Sequence, residues 1–280
     1  MSSSFGLSDH VKHALREAAM KSLQEVSRIE PPVIYDALYD HEKLKTTLFS
    51  KDHPDFQGLV NEIGVDQTDT LRGVLLVKQK HVIVIEHDYD RRNKFTFLHE
   101  HGHWKLPWHR ALLFKCTQFD LSAAARKQLE IEANFYASEA AFMGDLFMNY
   151  LMSSPPSLSH ISYLSNVFDM SMESTFRHAV ELELRPCAYL VMTVNRNDSD
   201  HFLKISYVVH SASFAANVVE FSRKATFPKN HVLAQIVVNP LSTALNVHEC
   251  IINVKPKGVQ LKAEVWKNNW NVFAFCQPLE

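Results

Sequence analysis

The chain of 280 residues predicts an α+β fold. Three observations carry that expectation. Apolar residues recur at helical spacing over residues 8–27 and 122–152, two short β-rich runs flank a polar turn within 73–86, and the last third alternates apolar and polar residues like antiparallel strands.

In chain order, "SDHVKHALREAAMKSLQEVS" places Val11, Leu15, Ala18, Leu23 and Val26 near one helical face, with Ser8 as its cap. "GVLLVKQKHVIVIEHDYDRR" holds the runs Gly73 to Val77 and His81 to Glu86 around "KQK", which predicts a hairpin. A helix is expected to start near Asn93, to stop early at Pro107, and to give way to a loop. The next helical stretch runs from about Ser122 to Met152, where "SSPPS" at 153–157 ends it and marks a boundary. Residues 158–186 read as a short helical unit. Beyond it "AYLVMTV", "LKISYVV", "HECIINV", "QLKAEVW" and "NVFAFCQ" read as strands, so units of 1–152, 153–186 and 187–280 are expected.

A net charge of -2 exerts no general pull toward nucleic acid or anionic membranes. "MSSSFGLSDHVK" lacks the apolar stretch of a signal peptide, and the most apolar later run is interrupted by Glu139 and Asp145, so a cytoplasmic chain without membrane association is expected. Cys116, Cys187, Cys250 and Cys276 are far apart and form no CxxC pair, which predicts reduced core thiols. Any metal must then be held by His and Asp or Glu.

"KFTFLHEHGHWKLPWHR", residues 94–110, supplies such ligands. His99, Glu100 and His103 form H-E-x-x-H, whose i, i+4 spacing puts both imidazoles on one helical face. Glu100 lies about 100° round the helix, close to a metal without sharing the ligand face, as a base that activates bound water must. The plainer alternative is a histidine-rich surface helix without ligands. His101 points about 200° from His99 and is expected as a surface or core histidine, while His109, beyond Pro107, has only proximity in its favour.

A catalytic zinc site keeps three protein ligands and one open position, so a third ligand is needed. "LEIEANFYASEAAF" offers Glu130 and Glu132, which point about 200° apart on a helix. The Glu130 face continues through Ala133, Asn134, Ala137 and Ala141, small residues that permit close approach to the helix of His99 and His103. The Glu132 face carries Phe135, Tyr136, Glu139 and Met143 and suits other packing or solvent. Glu130 is therefore the expected ligand, and Glu132 a charged residue at the helix edge, with a supporting role for it left open. The expected metal is Zn2+, with another divalent ion such as Mn2+ as the alternative.

"KFTFLHEHGHW", preceded by "HVIVIEHDYDRR" and followed by "EIEANFYASEA", resembles the ImmA/IrrE family of metallopeptidases, most strongly over about 70–145. The family pattern of Glu four residues before Asn also selects Glu130, and sets Asn134 one turn on, behind the ligands. "SHISYLSNVFDMSMESTFRHAVEL" is similar to the helix-turn-helix-like unit that follows the peptidase core, and "QLKAEVWKNNWNVFAFCQPLE" resembles the end of the GAF-like domain of the IrrE branch. His101 departs from the pattern, where an aliphatic residue is commoner, as does Trp104 after the second His; neither is a ligand position.

The resemblance implies a zincin-like metallopeptidase domain at 1–152, a helix-turn-helix-like unit at 153–186 and a GAF-like domain at 187–280. It also implies a zinc-dependent endopeptidase that cleaves a helix-turn-helix transcriptional repressor, switching on a stress regulon of the DNA-damage type or a mobile-element regulon. The alternative is a non-proteolytic module on the same scaffold that sequesters a partner, or a toxin–antitoxin component. Between 153 and 186 the acids Asp169, Glu173, Glu181 and Glu183 outnumber Arg177 and Arg185, so a packing or substrate-docking module is expected there over DNA binding. Phe202, Tyr207, Trp266, Trp270 and Phe273 read as core of the last domain before they read as a ligand pocket.

Overall fold

The computed structural model describes residues 6–27, 30–50, 52–54, 58, 61, 72–115, 122–182, 185–217, 221, 225–238, 248–254, 259–267 and 271–279. Among them the chain is α+β, with ten helices and two sheets. It divides into two compact units, Ser2–Asn149 with Ser165–Ser171, and Tyr150–Leu164 with Met172–Glu280. No helix among the described residues is long and apolar enough to cross a membrane.

The first unit opens with α1, Asp9–Glu25, whose Ser8 cap accepts a hydrogen bond from the Val11 amide and which buries Leu15, Ala19, Ser22 and Leu23. Helix α2, Tyr35–Glu42, stops where Lys43 turns left-handed, at φ 53°. The expected hairpin is present as β2 (Gly73–Leu76) and β3 (His81–Ile85), antiparallel with Gly73 opposite Val84. Strand β1, Lys45–Phe49, pairs with β3 in parallel, which gives the order β1-β3-β2. The central strand buries Val82 and Val84 in a cluster with Tyr39, Leu44, Phe97 and Trp104.

Helix α3, Asp90–Lys105, begins three residues before Asn93. Asn93 holds the preceding turn instead: its Oδ1 accepts from the His87 amide at 2.9 Å and its Nδ2 donates to the His87 carbonyl at 3.0 Å. Pro107 does end α3, but no loop follows. It opens α4, Pro107–Lys115, because proline has no amide to waste at a first helical position. Helix α5, Ala123–Phe142, is capped by Ser122 and ends at left-handed Met143, followed by Gly144. The stretch expected to be continuous is thereby split, and α6, Asp145–Met152, starts afresh.

The side chain of Arg91 binds the Ser165–Ser171 segment to this unit. It donates to Asp169 Oδ1, Ser165 Oγ and the Met170 carbonyl at 2.9 Å each, and to Asn166 Oδ1 at 3.0 Å. Lys94 joins it on Asp169.

In the second unit, helices α7 (Leu158–Val167, its last residues counted with the first unit) and α8 (Met172–Leu182) precede a six-stranded sheet. Its strands are β4 (Ala188–Val194), β5 (Leu203–His210), β6 (Thr226–Phe227), β7 (His248–Val254), β8 (Val259–Lys267) and β9 (Asn271–Pro278), in the antiparallel order β6-β5-β4-β9-β8-β7. Helices α9 (Ala212–Asn217) and α10 (Val232–Val238) contribute Phe214, Leu233 and Ala234 to one face, against Ala188, Leu190, Leu261 and Ala274. On the other face Phe176 of α8 stacks on Tyr189 and Trp266, with ring centroids 4.8 and 4.9 Å apart, and Phe273 continues the stack at 4.6 Å from Trp266. Phe202, Trp266 and Phe273 are thus core, Tyr207 lies under the Arg177 guanidinium, and Trp270 falls outside the described residues. Cys187 and Cys276 are buried; Cys116 and the side chain of Cys250 lie outside the described residues.

Candidate metal centre

Helices α3 and α5 come close because nothing stands between them. A Cβ on Gly102 would lie 2.9 Å from the Tyr136 ring and 3.4 Å from the Ala133 carbonyl, and Ala133 and Ala137 are fully buried. The small-residue face of α5 therefore does what its sequence predicts, and it delivers Glu130 to the histidines of α3.

The three expected ligands converge. His99 Nε2 and His103 Nε2 are 3.2 Å apart, Glu130 Oε2 is 3.2 Å from His99 Nε2, and Glu130 Oε1 is 3.5 Å from His103 Nε2. A tetrahedral centre with bonds of ~2.0–2.1 Å requires ligand atoms ~3.3 Å from one another, so this triangle has the size of one face of such a site. The residues present fit a metal ion: two imidazole nitrogens and a carboxylate oxygen, each able to offer a lone pair to a common point.

Asn134 stands behind the triangle, its Oδ1 3.1 Å from His99 Nδ1. A carbonyl oxygen only accepts, so Nδ1 carries a His99 proton, and Nε2 is the atom that faces Glu130 and His103. Burial pushes the His99 pKa down, but its hydrogen bond to Glu130, the Glu100 and Glu130 charges and Asn134 outweigh this and leave it raised. The Glu130 side chain is 58% exposed; desolvation against its neighbours opposes ionisation, but the hydrogen bonds and charges of His103 and His99 hold its carboxyl far below the usual range. Burial lowers His103.

Glu100 is buried beside the triangle but is not part of it. Burial raises its pKa to about 7, with the His99 charge opposing and Glu130 adding to the rise. Its Oε1 lies over Gly73 of β2, where a Cβ would be only 2.6 Å away.

His101 is fully buried outside the converging group, its Nδ1 2.9 Å from the Tyr136 hydroxyl, which in turn donates to Ser22 Oγ. Burial takes its pKa to about 3, as befits a neutral core histidine.

One participant, His109, escaped the sequence, and the supporting role left open for Glu132 is the one it takes. With α4 starting at Pro107, His109 turns back into the interior, where its Nδ1 meets His103 Nδ1 at 2.9 Å. Glu132, read as a charged residue at the helix edge, lies under α4. It is buried, and its oxygens meet His109 Nε2 at 3.0 Å, Trp108 Nε1 at 2.7 Å and Gln128 Nε2 at 2.7 Å. Burial lowers the His109 pKa to about 4 against the pull of Glu132. The hydrogen bonds from Gln128, His109 and Trp108 override burial and lower that of Glu132. The available signal was Pro107, which marks a helix start as readily as a stop.

Glu25, His41 and Glu42 form a second group with ligand-like spacing. Lys105 already occupies it, with its ammonium 2.8 Å from Glu25 and 2.6 Å from Glu42.

No family model and no curated protein matches the chain. Among solved structures it is similar to a Mycobacterium tuberculosis transcriptional regulator, with 14% identity over 95% of this chain and 76% of that one and a TM-score of 0.57. At that identity the likeness concerns the fold alone.

Proposed function

We propose that the chain is a zinc-dependent endopeptidase of the ImmA/IrrE type, built as a zincin-like domain, a helix-turn-helix-like pair of helices and a GAF-like domain, and that it cleaves a helix-turn-helix repressor. The observation that carries this reading is the triangle of His99, His103 and Glu130 at tetrahedral spacing, with the buried carboxylate of Glu100 next to it. Zinc held there supplies a polarised water and a Lewis acid for the scissile carbonyl. Glu100, buried beside the triangle, would serve as the general base of that chemistry, and Asn134 holds the His99 proton on Nδ1. Mn2+ is the alternative occupant.

The repressor as substrate rests on the family resemblance, and the solved structure of similar fold is itself a transcriptional regulator. A packing role for the two helices is favoured over DNA reading, because α8 buries Phe176, Ala179 and Val180, and Asp169 is engaged by Arg91 and Lys94. The test is incubation of the zinc-loaded protein with helix-turn-helix repressors encoded nearby, with E100Q as the control. Two fragments that appear only with the native chain are expected. A stoichiometric complex without fragments would replace this reading with that of a sequestering module or a toxin–antitoxin component.

A further inference from the structure

We infer that Glu132 and His109 form a carboxylate–imidazole relay that fixes the tautomer and orientation of His103, which makes both of them positioning residues of the metal site. The inference rests on the reading of His99, His103 and Glu130 as ligands.

The direction of the relay follows from its outer end. Glu132 takes hydrogen bonds from Trp108 Nε1 at 2.7 Å and Gln128 Nε2 at 2.7 Å, so it is an acceptor. His109 Nε2, 3.0 Å from the same carboxylate, must then carry a proton; a bare nitrogen there would set two lone pairs against each other. A neutral His109 protonated on Nε2 has a bare Nδ1. That atom, 2.9 Å from His103 Nδ1, can only accept, which places the His103 proton on Nδ1. Nε2 of His103 is left with its lone pair directed at His99 and Glu130.

Each contact thus transmits one choice of proton position from a carboxylate on α5, through α4, to a ligand on α3. Asn134 makes the same choice for His99 in a single step. His109 is not itself a ligand, because its Nδ1 is engaged with His103 and its Nε2 with Glu132, and it lies outside the converging group. Carboxylate–histidine–metal chains of this kind orient the ligand ring, and loss of the outer partner typically weakens metal binding by ~10–100-fold. Here the chain has one imidazole more.

The test uses the full-length protein in four forms: native, H109L, H109Q and E132Q. Zinc affinity is measured by chelator competition, and ring proton positions by nitrogen-detected histidine NMR on the metal-free protein. H109L should bind zinc ~10–100-fold more weakly. H109Q should recover most of that loss, because an amide can accept from His103 at one atom and donate to Glu132 at the other. In the metal-free native protein His103 should be protonated on Nδ1 and His109 on Nε2, and H109L should lose the preference at His103. E132Q should blur the preference at both rings. The relay is overturned if H109L binds zinc like the native chain, if H109Q is no better than H109L, or if native His103 carries its proton on Nε2. Should the native chain bind no zinc at all, the metal reading itself fails, and the proton positions alone still decide whether the relay exists.

Discussion

Gly73→Ala tests how closely β2 is fitted to the helix that carries Glu100. Gly73 has an ordinary strand backbone, so the alanine introduces no conformational strain; its effect is steric. The new Cβ would stand 2.6 Å from Glu100 Oε1, 2.8 Å from Thr96 Cγ2 and 3.0 Å from Glu100 Cγ. Carbon pairs settle at ~3.5–4.0 Å, so the deficit at Thr96 is roughly 0.7 Å or more. Thr96 cannot swing aside easily, because its hydroxyl donates to the Arg92 carbonyl at 3.0 Å. Nor can β2 retreat freely, since Gly73 pairs with Val84 and the Arg72 carbonyl accepts from the Ile85 amide at 2.7 Å. The Glu100 side chain therefore moves, or the strand and helix part.

Overpacking of this kind costs about 1–3 kcal/mol. For a unit of this size each kcal/mol lowers the Tm by roughly 2–4 °C. A displacement of Glu100 by ~1 Å should reduce peptide cleavage on the order of 100-fold. Zinc content should hardly change, because none of the three ligands is among the atoms that would crowd the new Cβ. The measurements are a melting curve, metal analysis and a cleavage rate on one preparation. A G73A protein that melts and cleaves like the native chain would refute the reasoning, since it would mean the strand–helix fit is loose.

E100Q should retain zinc and lose cleavage, whereas E130A should lose most of its zinc; metal analysis of the two proteins side by side checks both, and zinc loss in E100Q would mean that Glu100 is a ligand. D169A removes an acceptor from Arg91 and from Lys94, and should lower the stability of the first unit by about 1–3 kcal/mol, with faster amide exchange in the first turns of α3; unchanged exchange there would count against the clamp. Burial opposes ionisation of Glu42, but hydrogen bonds from Lys105 and Trp104 leave its carboxyl below the ordinary carboxylate range. Its contribution is therefore present above the unfolded carboxyl pKa and lost as pH falls through the lower folded one. E42Q should flatten the native chain's stability loss below about pH 4.5, and an identical acid limb in native and variant would exclude that contribution.

What the sequence made legible is what depends on one element alone. β4 and β7 coincide with "AYLVMTV" and "HECIINV", and the five buried residues that open β4 form the continuous apolar run of a strand covered on both faces. His99, Glu100 and His103 are fixed relative to one another by 3.6 residues per turn, and the alanine face of α5 carried the choice of Glu130 across to a second helix. Strand β1 lacked such a signal: it is a short edge strand with Lys45, Thr46 and Leu48 exposed, and its partner β3 is remote in sequence. The break at Met143 was hidden because a left-handed methionine has no composition to betray it, and only Gly144 beside it gave a hint.

His109 shows where angular reasoning stops. Within α3, an angle of about 200° kept His101 out of the converging group, as found. Beyond Lys105 the reference axis changes, and the direction of the next side chain depends on how α4 leaves Pro107, which no residue count along α3 can supply. Glu132 suffered the same fate, because judging its face on α5 required knowing that α4 would cover it with Trp108 and His109. The candidate ligands could be read from two helices taken separately; His109, which links His103 to Glu132, belongs to a third, whose path is decided only by packing.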